Sequence, residues 1–198
     1  ALDLSGTLNA ANGALRFTAD RCAPLSIRRL ELGANDVEAL SGRLCPSGGP
    51  LFTLAKGDWR LAGEAQDVAA TVPFLQARVT NGQARVSAGQ IGGRLGVEAA
   101  LSAAQVADTA AQRRFNPLRL SGTARLADAR WTAGFDAATP AGQALGRAEL
   151  RHDTRDGRGG ITFDTGLLAF ADKGLQPIQL SPAATALASP VEGRAQFV

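Results

Sequence analysis

The fold is decided by stretches such as residues 120–135, LSGTARLADARWTAGF, in which small or apolar residues alternate with polar ones. From Leu120 to Leu126 every second residue is Leu, Gly or Ala, and the alternation resumes from Trp131 to Phe135. Successive side chains of a β-strand point to opposite faces, so this pattern predicts strands with one apolar face.

The same pattern runs through most of the chain. Gly accounts for 23 of 198 residues, and most of them stand singly between short alternating runs. Asn12-Gly13 and Asn81-Gly82 stand between such runs, and Asn-Gly is a strong hairpin signal. We therefore expect an all-β, antiparallel sheet of about 12 strands at the usual 4.8 Å spacing.

Large apolar residues are too few to fill a thick core between two sheets, because Ala and Gly dominate the small positions. A curled sheet with an open hydrophobic groove fits this composition as well as a closed sandwich does. We take residues 1–198 as a single continuous β-groove segment of a longer protein.

Two stretches favour helix over strand. The alanine-rich segment Ala99–Arg114 has apolar residues at helical spacing, although its polar second half fits a loop equally well. Ser181–Ser189 begins with a Pro in the first-turn position. We expect at most two short helices.

The charge pattern argues against a nucleic-acid partner. The net charge is +3, but Arg and Asp are interspersed and the longest basic runs are pairs, such as Arg28-Arg29. Nucleic-acid binders cluster their basic residues on one face or helix. No apolar run approaches the ~18 residues that a membrane-spanning helix needs.

The residues offer no catalytic or metal chemistry. His152 is the one histidine, no Gly-x-Ser-x-Gly motif accompanies it, and we interpret it as a solvated residue at a strand end. One His and two Cys cannot make a four-ligand zinc site unaided. The glycine-rich stretches lack a phosphate-binding pattern. We therefore expect that the chain is not an enzyme and that it binds neither a metal ion nor a cofactor.

The two cysteines, Cys22 and Cys45, are either disulfide-bonded or two buried thiols. A bridge would close a loop of about 23 residues and stabilise the fold by roughly 3 kcal/mol. Disulfides persist outside the cytoplasm, including in the bacterial periplasm. We expect the disulfide.

Several motifs resemble the C-terminal part of YdbH-like proteins of alphaproteobacteria. The resemblance is carried by short segments at 114–118, 150–153, 174–177, 180–182 and 189–194, and by the cysteine-containing stretches at 22–25 and 44–46. The resemblance is strongest over residues 113–198, weaker over residues 15–50 and weakest in the segment between these two ranges.

The resemblance implies a place in the AsmA-like and TamB-like group. Such proteins are anchored in the inner membrane, cross the periplasm and are implicated in carrying phospholipids between the two membranes along an apolar groove. The implied partners are phospholipid, a small outer-membrane lipoprotein and neighbouring β-groove segments. The alternative is a structural or adhesive β-solenoid or sandwich with a closed core and no lipid cargo.

The groove would be lined by the large apolar residues at alternating positions of the second half. We assign to it Leu126, Trp131, Phe135, Leu150, Ile161, Phe163, Leu168 and Phe170. We also expect Leu2–Leu8 and Gly193–Val198 to form sheet edges that can pair with another chain.

Overall fold

The structure is a computed structural model of the whole chain. It describes residues 4–32, 35–111, 113, 115–156, 158–163, 166–171 and 174–175. The helix expected at Ser181–Ser189 and the edge expected at Gly193–Val198 lie outside these residues. Within them no α-helix is present.

The described residues form a 14-stranded sheet and one 3₁₀ turn, Pro73–Leu75. The strands are β1 (Gly6–Ala11), β2 (Ala14–Ala19), β3 (Ala23–Leu32), β4 (Asn35–Cys45), β5 (Phe52–Ala55), β6 (Asp58–Val72), β7 (Ala77–Ile91), β8 (Arg94–Asp108), β9 (Leu118–Ala127), β10 (Arg130–Ala138), β11 (Ala144–Asp153), β12 (Arg158–Phe163), β13 (Gly166–Ala171) and β14 (Gly174–Leu175).

Twelve of these strands form one continuous antiparallel path, β1-β2-β5-β6-β7-β8-β9-β10-β11-β12-β13-β14. The end strands β1 and β14 do not pair with each other, so the sheet is open and does not close into a barrel. The predicted fold class, an antiparallel open sheet, is confirmed.

Tight two-residue turns connect several neighbouring strands. Asn12 and Gly13 have φ values of 53° and 71°, and they join β1 to β2 as predicted. Positive φ at both central residues is the signature of a type I′ hairpin turn. Lys56-Gly57, Gly92-Gly93 and Asp128-Ala129 make equivalent turns.

The hairpin predicted at Asn81-Gly82 is wrong. Both residues lie inside β7, where the pairing with β6 and with β8 shifts register. Asn81 has a φ of 54°, which fits the extra residue of a β-bulge as well as it fits a turn. The turn into β7 is instead the 3₁₀ turn Pro73–Leu75.

The helix predicted from Ala99 is also wrong, because β8 continues to Asp108. The register of β8 against β9 slips between Leu101 and Ala104. Because of the extra residue, the side chains of Leu101 and Ala104 lie on the same face although they are three positions apart. A bulged strand therefore shows the same apolar spacing as a helix.

The sheet forks at β6. The first residues of β6 pair with β5, and its later residues pair with β4, which carries β3 on its far side. Leu51 sits in the fork with 1% of its surface exposed. Its N–H donates to the carbonyl oxygen of Phe17 at 2.8 Å, and its own carbonyl accepts from Ala62 N–H at 3.0 Å.

The disulfide closes the hairpin that branches from this fork. Cys22 immediately precedes β3 and Cys45 ends β4, and their sulfur atoms are bonded. The pair lies one step beyond Ala23 and Leu44, which are opposite one another. The predicted Cys22–Cys45 bridge is confirmed.

The sheet curls along its length. Cα atoms of β14 lie within 8 Å of Cα atoms in the 3₁₀ turn Pro73–Leu75, which leads into β7. In a flat sheet, the seven strand spacings from β7 to β14 would separate them by about 34 Å. The second half of the sheet therefore bends round into a trough.

Candidate functional site: the apolar face of the trough

One row of directly opposed residues crosses all twelve strands of the path, and we call it the central row. Each member is the registered partner of the next, from β1 to β14. The row consists of Leu8, Phe17, Phe52, Leu61, Ala88, Val97, Leu126, Trp131, His152, Gly159, Phe170 and Leu175. Directly opposed residues share a face of the sheet, so the row defines an apolar face.

The structure places the predicted groove residues in the central row or in rows beside it. Leu126 is opposite Trp131 in the central row. Phe135 is opposite Ala148, and Leu150 is opposite Ala133, on the same face. Leu126 is buried, whereas the other three large residues are half-buried.

The remaining four predicted groove residues can be located only by their backbone pairing. Ile161 is opposite both Leu150 and Leu168, and Phe163 is opposite Ala148. Phe170 is opposite Gly159. The side chains of Ile161, Phe163, Leu168 and Phe170 lie outside the described part of the structure.

The apolar face carries no second layer within the described residues. Apart from the 3₁₀ turn, the extensive contacts of each strand are with its neighbours in the sheet. Leu8 is 61% exposed and Leu95 is 50% exposed, although both lie on this face. Among the Leu, Ile, Val, Phe and Trp residues whose side chains the structure describes, only Leu44, Leu51 and Leu126 are buried.

Small residues on the same face are nevertheless well buried. Ala104, Ala133 and Ala148 have at most 9% of their surface exposed. Where no second layer covers a sheet, an alanine can be buried only by larger side chains on its own face. Concave curvature brings those side chains closer together over the alanine. The apolar face therefore lines the inside of the trough.

The reverse face is polar and carries charge pairs between adjacent strands. The side chains of Glu98 and Arg125 are 3.4 Å apart, and those of Asp136 and Arg147 are 3.2 Å apart. In each pair the two residues are directly opposed in the ladder. Exposed ion pairs of this kind add little stability. They keep the reverse face hydrated, and a strand register that turned these charges toward the apolar face would be unfavourable.

His152 is buried, with 6% of its surface exposed, so its interpretation as a solvated residue is wrong. It lies in the central row between Trp131 and Gly159. Its neighbour Asp153 faces the other way, and that carboxylate accepts a hydrogen bond from the N–H of Arg155 at 3.0 Å. This bond, with the nearby guanidinium of Arg130, holds the pKa of Asp153 below its usual value.

Residues of the first half also belong to the apolar face and were missed as groove residues. Leu15, Leu54 and Trp59 form a second row beside the central one. Trp59 is half-buried, and its Nε1 donates to the side-chain oxygen of Gln90 at 3.3 Å. The alternation that marked the second half is equally present here and could have identified them.

The arrangement offers a continuous apolar surface. The described residues contain no group of three or more side chains positioned to hold a metal ion. They also contain no helix long and apolar enough to cross a membrane. What this face can do chemically is remove hydrocarbon from water.

Comparison with known proteins adds no relative: no family model, no curated protein and no solved structure matches the chain.

Proposed function

We propose that this chain is a periplasmic segment of an AsmA-like intermembrane phospholipid transport protein. Acyl chains would travel along its apolar face between the inner and the outer membrane. The observation that carries the proposal is the central row, an almost uninterrupted line of apolar positions on a face that no other described part of the chain covers.

The geometry suits an acyl chain. Burying hydrocarbon on such a face is worth ~0.8 kcal/mol per CH₂, while a headgroup can remain in water at the open side. An acyl chain spans about half of a 30 Å hydrocarbon core, which corresponds to about three strands at 4.8 Å spacing. One chain lying along the central row would cover Val97, Leu126 and Trp131.

The disulfide and the family resemblance support the remaining parts of the proposal. A Cys22–Cys45 bridge suits an oxidising compartment such as the periplasm. The resemblance to YdbH-like proteins adds an inner-membrane anchor, neighbouring β-groove segments and a small outer-membrane lipoprotein as partners.

The proposal is tested by native mass spectrometry of gently purified protein, together with two aspartate variants of β10. We expect the wild-type protein to carry phospholipid. Phe135→Asp should remain folded, because its carboxylate reaches water on an open face, and it should lose the lipid. Thr132→Asp, on the exposed reverse face, is the matched control and should retain it.

Two results would contradict the proposal. One is a wild-type protein that carries no lipid and acquires none from vesicles of phosphatidylethanolamine and phosphatidylglycerol. The other is unfolding of Phe135→Asp alone, since an unpaired charge in a closed core costs more than a domain's spare stability.

A further inference from the structure

The outer edge of β1 is unpaired within the described residues, because β1 ends the strand path. All six of its residues, Gly6–Ala11, are exposed. In a two-residue hairpin the residues flanking the turn form a hydrogen-bonded pair, so Ala11, Asn9 and Thr7 direct their backbone groups toward β2. The N–H and C=O groups of Gly6, Leu8 and Ala10 therefore point outward.

Within the described residues, this edge lacks the charged residues, prolines and bulges by which proteins commonly prevent strand addition. Natural edge strands use charged residues, prolines or bulges for that purpose. β1 contains no charge and no proline, and its register against β2 is regular. The other edge on this side, β3, is protected, since it contains Pro24 and the pair Arg28-Arg29.

We propose that β1 pairs antiparallel with β1 of a second copy of this chain, about a two-fold axis. Only one register lets all three outward-facing residues of each strand find outward-facing partners. It places Leu8 opposite Leu8 of the second copy, and Gly6 opposite Ala10. The pairing makes about six backbone hydrogen bonds and matches apolar residues with apolar ones.

The same register joins the two apolar faces. Because Leu8 belongs to the central row, its opposition to Leu8 of the second copy continues that row from one protein into the other. The dimer would therefore present one apolar face over two troughs. This pairing uses the backbone edge alone and does not depend on the lipid cargo. In this chain it occupies the edge with which a neighbouring β-groove segment would pair in a longer protein.

Proline scanning tests the backbone pairing. Leu8→Pro removes an outward N–H and leaves the β1–β2 bonds intact, so it should weaken dimerisation roughly 10- to 30-fold in analytical ultracentrifugation, the loss of two hydrogen bonds. Asn9→Pro removes a bond to β2 and should lower the unfolding temperature instead. A monomeric wild-type protein at millimolar concentration would overturn the proposal, as would a dimer that Leu8→Pro leaves unchanged.

Cysteine cross-linking tests the register and remains informative if Leu8→Pro does not fold. Both native cysteines are in the disulfide, so an added cysteine is the only thiol among the described residues. Leu8→Cys should form a covalent dimer on mild oxidation. Ala10→Cys, on the same strand and face, should not, because its twin lies four residues away along the ladder. Equal cross-linking of the two variants, or none in either, would overturn the proposed pairing.

Discussion

Gly122 on β9 lies directly opposite Phe135 on β10, at a distance that leaves no room for a side chain on Gly122. A Cβ there would stand 2.0 Å from the carbonyl oxygen of Gly134 and 2.8 Å from the Cα of Phe135. The φ of Gly122 is 151°, a value that other residues rarely adopt. The close approach of these two strands therefore depends on glycine.

Gly122→Ala should destabilise the protein by about 1–3 kcal/mol, because the strands must separate or the backbone must change conformation. Urea unfolding measures the difference. Gly96→Ala on β8 is the control, since its Cβ would meet nothing closer than the Leu126 carbonyl oxygen at 3.8 Å. Equal destabilisation by the two substitutions would contradict the account of the β9–β10 contact.

Leu51 is the residue on which the fork at β6 depends most. Leu51→Ala keeps the backbone bonds to Phe17 and Ala62 but leaves a cavity beside Leu44 and Ala19, and it should cost about 2–5 kcal/mol. Leu54→Ala removes the same atoms from a side chain that is 38% exposed, and it should cost less than about 1 kcal/mol. Similar costs for both in thermal or urea unfolding would show that the fork is not a packed core.

The disulfide should be present in the purified protein, so no thiol should react before reductant is added. Reduction should then lower the free energy of unfolding by roughly 3 kcal/mol, since the bridge restricts the loop between Cys22 and Cys45 in the unfolded chain. The double variant Cys22→Ser/Cys45→Ser is the control and should not respond to reductant. Two thiols that react without reductant would contradict the bridge and weaken the argument for an oxidising compartment.

Alternation in the sequence predicted the antiparallel sheet and the apolar face because both are local properties of strands. Bulges defeated the same reasoning at Asn81 and beyond Leu101, where one extra residue changes the phase of the pattern. The fork could not be predicted, because β5 meets β6 through a local hairpin, whereas β4 meets the same strand through a pairing distant in sequence that alternation does not encode. Burial of His152 depends on the curl of the sheet, which its flanking Arg and Asp residues do not reveal.

The central claim, that the apolar face is open and accepts acyl chains, is tested most directly by fluorescence from Trp59 and Trp131. These are the two tryptophans of the chain, which has no tyrosine, and both lie on the apolar face. The single-tryptophan variants Trp131→Phe and Trp59→Phe separate their signals. Each is titrated with a phospholipid brominated along its acyl chains, and the unbrominated lipid is the control. The account predicts that bromine quenches both tryptophans in the folded protein, because bound acyl chains lie against them. Emission from both tryptophans that is the same with brominated and unbrominated lipid would contradict it.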